Sequence, residues 1–425
     1  MFFKEDLKPG DPWYQKIDFI IFHVFILGLI FIIYRQFGLI DLFPLSEKLQ
    51  QWDTGWYDNI RINGYTYSEL EQSNSGFFPL FPYLWKWSGL SVVGITFFNA
   101  LVSIVAFILL YQNFNFKKSE FLIAISIPSV FFLLVPYTES LFFLFSTVFL
   151  IGLKKKNLAL IWAGLFFASI TRSTGLFFLP AIGLIIFLES NNQDLFSLKT
   201  LRKLVLYSLP IFLGIAVVVV WQYLETGVWF AYFKAQSNHW FRGLSFPALP
   251  LSVWNYPKIL WLDALAFLAG FFAFLMVIKR IINRVNHKGS ENLEVIISEG
   301  YLCAVFISLI LFNPKNMESG LTEISGANRY IFATPFFFLM LKNFLCGKYN
   351  PVRLAFLVVP FFWLLFNIYN PTDILIFSLL SVYVILYFLL DKTRFRSLVS
   401  MAIYLAGMLL QFYIVGLFLR GEWVG

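Results

Sequence analysis

Charge is scarce in this chain. Charged residues make up 13% of its 425 positions, about half the share of an ordinary soluble domain, which excludes a water-facing surface wrapped around one core. Cysteine is rarer: Cys303 and Cys346 both sit in apolar runs, and two thiols make no disulfide framework. The histidines at 23, 239 and 287 are scattered, and without a paired-cysteine motif their spacing offers no metal site. A divalent ion is allowed, but nothing demands one. A glycine-rich nucleotide loop is also missing, which counts against a nucleotide-driven reaction. No Asn-x-Ser/Thr sequon occurs, since Pro371 disqualifies Asn370-Pro371-Thr372. The start carries Lys4, Glu5, Asp6 and Lys8 before an unbroken apolar run, and the lack of a small-residue cleavage site speaks against a signal peptide.

Apolar surface fills the space that charge leaves. Hydrophobic residues reach 59% and aromatics 20%, with a mean hydropathy of +0.74. Lipid is the solvent that accepts this much apolar surface. The runs are continuous and lack period-2 alternation, so they read as helices and not as barrel strands. The fold class expected is therefore an all-α polytopic membrane protein. The formal net charge of +8 comes from basic residues dispersed in short clusters, a pattern of membrane orientation and not of a nucleic-acid partner.

Taking about 17–25 residues per crossing, about 13 spans emerge: near 17–40, 91–112, 120–136, 138–153, 157–171, 175–189, 204–224, 259–278, 294–312, 329–346, 354–370, 373–390 and 398–419. Basic clusters then alternate. Lys4, Lys8 and Lys16, then 117–118, 154–156, 199–203, 279–288, 342–353 and 392–396 fall on one side. The other side keeps single cations: Arg61, Lys86, Arg172, Lys234, Arg242, Lys258, Lys315, Arg329 and Arg420. The positive-inside rule places the lysine-rich side and the N-terminus in the cytoplasm, and the odd count places the far end outside.

Under this topology the chemically rich loops, 41–90, 136–140, 171–175, 225–257 and 313–330, all lie on the outer face. A transporter would instead set polar groups at the midplane of its spans, where acids are nearly absent apart from Asp263. In the first outer loop, Trp52, Asp53, Trp56, Tyr57 and Asp58 crowd together. If a helix opens here, Trp52 and Trp56 share one face and Asp53 and Tyr57 the next. An acid ringed by aromatics at an interface is partly desolvated, which suits Asp53 to general-base work; Asp58 is the alternative base or an orienting partner. The other reading of the stretch is an interfacial anchor.

Glu139 and Arg172 stand in tight turns, kept there for a ligand or paired with each other. Lys234, Gln236, His239, Trp240 and Arg242 fall in one short loop. Its cations suit a phosphate and its indole a headgroup or a sugar face. Arg329, beside Tyr330, could meet a phosphate too, or snorkel to the interface. An outer-face enzyme without nucleotides needs a substrate already activated in the membrane, and a lipid-phosphate donor meets that need.

Several of these elements, in order, resemble a known family. Trp52-Asp53-x-x-Trp56-Tyr57-x-x-Ile60-x-x-x-Gly64-Tyr65 and Phe77-Phe78-Pro79-Leu80-Phe81-Pro82 are similar to the first outer loop of PIG-V-type mannosyltransferases, the GPI mannosyltransferase II family and its prokaryotic relatives. Pro136-Tyr137-Thr138-Glu139-Ser140-Leu141, Thr171-Arg172-Ser173-Thr174-Gly175, Gln236 to Arg242, and Arg329-Tyr330 resemble its later elements. The resemblance implies a GT-C bundle and a polyprenyl- or dolichyl-phosphate sugar donor, usually mannose, with Asp53 as the base. The missing sequon and scarce cysteine lean towards a prokaryotic inner membrane, with a glycolipid or glycan as acceptor. The expected mechanism is a single inverting displacement, with Arg242 and Arg329 on the leaving phosphate and His239 or Lys234 assisting. A lipid-linked-sugar flippase and a non-catalytic scaffold are the alternatives.

Overall fold

The computed structural model describes residues 13–190, 195–240, 242–255, 258–285, 292–312, 320–347, 350–366, 371–389 and 396–425. Lys4, Lys8, His287, Lys288, Lys315, Asn370, Lys392 and Arg394 lie outside them, as do the side chains of Lys16 and Cys346. Among the described residues the chain is helical throughout, with three short 3-10 segments and one isolated bridge between Ser252 and Glu323. Six helices are long and apolar enough to cross a bilayer: Ile17–Gln36, Val92–Asn113, Leu198–Thr226, Leu260–Arg284, Leu293–Leu311 and Leu398–Leu419. With backbone groups satisfied inside each helix, this is the architecture of an integral membrane protein.

Two expected spans are broken, and proline explains both. The stretch 120–136 is a short helix, Lys118–Ile125, then a 3-10 segment, Pro128–Leu133. The stretch 329–346 divides into Ala327–Phe332 and Pro335–Cys346, with Pro335 in the first turn of the second piece. Proline offers no N–H and pushes the preceding residue out of helical geometry, so each helix stops and a new one starts.

The hairpin Glu139–Lys155 and Leu158–Thr171 shows how sequence sets the site. Asn157 caps the second helix, its side chain accepting from the Leu160 N–H. Along the seam, a Cβ on Gly164 would fall 2.5 Å from the Phe149 nitrogen. Only glycine lets the two backbones approach this closely, the small-residue packing that membranes favour because lipid removes the hydrophobic drive. The antiparallel pair thus brings Glu139, at the start of one helix, beside Arg172, just past the end of the other. At the opposite end, Lys118 pairs with Asp18, while Lys154 and Lys342 donate to the carbonyls of Asn113 and Phe114. Lysines from three of the basic clusters therefore gather at one end of the bundle.

Candidate functional site

At the end of the bundle away from those lysines, three guanidiniums and two carboxylates converge. Arg329 lies on the short helix Ala327–Phe332, which opens after Gly326 at φ 83°, a left-handed turn that glycine adopts without strain. Its neighbour Asn328 is locked from both sides. The Asn328 N–H and amide donate to Asp263 Oδ1 at 2.8 and 2.7 Å, and Ser129 donates to the Asn328 side-chain oxygen at 2.9 Å. So anchored, the Arg329 guanidinium reaches Asp53 Oδ2 at 2.5 Å and also pairs with Glu139. Its face lies 4.6 Å from the Tyr137 ring, a cation–π contact strengthened by burial. Arg172 pairs with the same Glu139 oxygen. Glu139 is 1% exposed, so two arginines around one buried carboxylate are what make its charge tolerable there.

Asp53 is the open member of the cluster. Its side chain keeps 17% exposure, and among the described residues the contact it makes is through Oδ2, to Arg329, which leaves Oδ1 for a ligand. The helix Asp53–Asn63 begins at Asp53 and not at Trp52. Trp52 has φ 52° and ψ −119°, a conformation that costs a bulky residue on the order of 1–3 kcal/mol and that collects at functional sites. The expected shared face of Trp52 and Trp56 is therefore replaced by a split. Trp52 turns to Trp423 and Trp254, with ring centroids at 5.1 and 6.0 Å, and donates to the Glu422 carbonyl at 3.1 Å. Trp56 stacks on Phe77 at 5.9 Å and meets Trp240 edge-on at 6.2 Å. Asp53 sits between two aromatic walls.

Tyr57 is buried below Asp53, its hydroxyl 3.4 Å from Thr138. Burial first, then the nearby Asp53 charge, pushes its phenol well above the usual tyrosine range, so it keeps its proton at every working pH. Tyr330 lies between two cations: the Arg172 guanidinium stands 5.4 Å from its ring, and Arg242 donates to its hydroxyl at 3.4 Å. Arg242 is solvent-exposed and has no carboxylate partner among the described residues. Burial around its guanidinium opposes the charge, yet Tyr330, Tyr232 and Asp53 together raise its affinity for the proton. The cluster as a whole carries one net positive charge, and Arg242 is its unmatched member.

Other expected members lie elsewhere. Asp58 does not orient Asp53; it binds Arg61 at 2.7 Å and accepts from Gln50 at 3.1 Å, because five residues along a helix turn it to another face. His239 is buried with Nε2 2.9 Å from the Ser68 carbonyl, which occupies it away from any ligand. Gln236 donates to the Gly76 carbonyl at 3.1 Å, and a Cβ at Gly76 would strike the Trp240 ring. Both residues thus clamp the loop 225–257 onto the first loop. Lys234 is exposed on the same short helix, Ala231–His239. Sequence reasoning missed Asn328, Thr138, Trp254 and the tail Glu422–Gly425, where the Gly425 carbonyl lies 3.3 Å from Arg329. Only Trp254 carried a signal, an indole in an already suspect loop.

Comparisons with protein-family models, curated proteins and solved structures each returned no match. Among the described residues no group of three metal-ligating side chains is present. The functional reading therefore rests on this geometry.

Proposed function

We propose that the protein is a glycosyltransferase, a GT-C-type bundle in which the shorter apolar helices complete the crossings to about 13. It moves a sugar, mannose on the family resemblance, from a polyprenyl-phosphate donor to a hydroxyl of a lipid- or glycan-linked acceptor. The cluster faces the outer side, the N-terminus is cytoplasmic, and the membrane is a prokaryotic inner membrane. One observation carries the reading: a partly exposed carboxylate with one oxygen fixed by Arg329 and, among the described residues, the other available, in a cluster whose spare cation is Arg242.

In the step this supports, the free oxygen of Asp53 takes the proton of the acceptor hydroxyl. The acceptor's hydroxyl oxygen attacks the anomeric carbon, and the bond from this carbon to the phosphate oxygen breaks with its electron pair leaving on the polyprenyl phosphate. A single displacement inverts the anomeric centre. Arg242, with the N–H groups of Arg172 that Glu139 does not use, neutralises the departing phosphate. Arg329 is committed to two carboxylates and serves as the positioner of Asp53. A cavity of about 430 Å³ is lined by apolar side chains, including Trp261, Phe337, Leu410 and Phe332, of which Phe332 stands three residues on from Arg329 along the chain. An anion with a hydrocarbon tail is the kind of substrate that fits the cluster and this cavity.

Transfer from polyprenyl-phosphate mannose to membrane glycolipids by the purified protein in nanodiscs tests the reading. Wild-type transfer is expected, with loss in Asp53→Asn while donor binding persists. Equal transfer by both removes Asp53 as base. Transport of the donor across vesicles without transfer favours the flippase.

A further inference from the structure

Trp52, Trp254 and Trp423 form a cluster on one side of Asp53 that the proposed step does not use. Their rings meet at 5.1, 5.6 and 6.0 Å, and Trp254 is 65% exposed. Indoles at a bilayer interface ordinarily anchor the protein in headgroups. Two features set this cluster apart. The first is its surroundings. Lys258 pairs with Glu422, and Asn255 donates to the Trp423 carbonyl at 2.8 Å, so an exposed aromatic face is edged by a cation, a carboxylate and an amide. The second is rigidity. Trp254 N–H donates to the Ser325 hydroxyl at 2.7 Å, and the adjoining Ser252 exchanges backbone bonds with Thr322 and Ile324 at 3.0 and 2.9 Å. The backbone that presents the indole is thus fixed before anything binds, which lowers the cost of binding.

A flat aromatic face ringed by hydrogen-bonding groups fits a pyranose ring: C–H bonds on one side for the indole, hydroxyls around the edge for charge and amide. We propose that this cluster is the subsite for the acceptor, and that the acceptor is a carbohydrate whose terminal ring lies on Trp254. Trp52 links the platform to the base directly, because its neighbour in the chain is Asp53. The donor phosphate lies on the other flank, with Arg242. The inference deepens the proposed transfer and rests on it for the word acceptor; the sugar platform itself does not.

The experiment separates the two. Full-length protein in nanodiscs is titrated with mannobiose, maltose and chitobiose while indole fluorescence is followed, and donor hydrolysis to free sugar is measured without acceptor. At least one disaccharide is expected to bind saturably. Trp254→Ala should weaken it by about tenfold, the scale of one lost aromatic contact, and Trp254→Phe should restore most of it. Trp229→Ala removes another exposed indole, 51% exposed and stacked on Tyr223, and should leave sugar binding unchanged. Donor hydrolysis should be the same in Trp229→Ala as in wild type. No saturable binding, or equal losses in Trp229→Ala and Trp254→Ala, overturns the subsite and returns the cluster to anchoring. Trp254-dependent sugar binding without any transfer sustains the platform and sinks the transferase.

Discussion

The chain buries charge at both ends of its bundle, in two different ways. Near the lysine-rich end, Arg280 and Glu299 meet as a fork, Nη2 to Oε1 at 3.0 Å with Nε on the other oxygen, at 8% and 0% exposure. Between these two residues one cation meets one anion, and both carboxylate oxygens are used. At the opposite end the stoichiometry is uneven. Among the described residues Arg329 is shared by Asp53 and Glu139, Glu139 is shared by Arg172, Arg242 meets no acid, and Asp53 has one oxygen without a partner. A matched buried pair has met its desolvation cost internally and has nothing left to offer a ligand. An unmatched cluster beside water holds charge in readiness, and such unevenness distinguishes a site from a strut.

The largest expected effect falls on Asp53. Asp53→Asn removes the proton acceptor but keeps shape, so transfer should drop by about 10²–10⁴-fold, the usual worth of general acid–base help. Its unfolding temperature should fall less than that of Glu139→Gln, because Arg329 keeps Glu139 and Asp53 borders water. Next come Glu139 and Glu299, each buried against arginine. Glu139→Gln and Glu299→Gln each leave arginine charge uncompensated and should cost roughly 3–5 kcal/mol, read as a fall in the unfolding temperature of the protein in nanodiscs. The pair diverges in function. At a temperature where both remain folded, Glu299→Gln should transfer sugar at near the wild-type rate, whereas Glu139→Gln frees Arg329 and Arg172 and should lose most transfer. Equal activity losses would break the comparison. Gly164→Ala tests the hairpin that joins Glu139 to Arg172. Its Cβ would crowd the Phe149 backbone, so stability should fall by about 1–3 kcal/mol.

Much of this was legible in the sequence. Composition alone led to a helical membrane protein, and the positions brought together at the cluster, Asp53, Glu139, Arg172, Arg242 and Arg329, were each singled out as a rare charge beside an apolar run. What the sequence could not carry was pairing. Nothing in local spacing says that Arg329 will reach Asp53 from 276 residues away, since that depends on how Asp263, Ser129 and Asn328 lock a short helix. Local periodicity also misled. It put Trp52 and Trp56 on one face because it assumed the helix included Trp52, whereas tertiary packing on Trp423 pulls Trp52 out of helical geometry. The broken spans at Pro128 and Pro335 were readable from proline chemistry, but an apolar window count passes over them.

The smallest expected effect belongs to Asp58, the acid nearest Asp53 in sequence. Its carboxylate contacts Arg61 three residues on, with 14% and 29% of the two side chains exposed, and Gln50 on the other oxygen. Pairs this close to water are typically worth about 0–1 kcal/mol, so Asp58→Asn should shift unfolding barely at all. Both of its oxygens are already engaged and neither touches the cluster, so transfer should stay within about twofold of wild type, less than about 0.5 kcal/mol in barrier. A drop on the scale of Asp53→Asn would mean that the helix Asp53–Asn63 turns during the reaction to bring Asp58 inward. The positive charge of Arg61 would then come with it, since the pair is three residues apart on one helix face. Arg61→Gln would show the same loss in that case and none otherwise, which decides between a fixed base at Asp53 and a moving one.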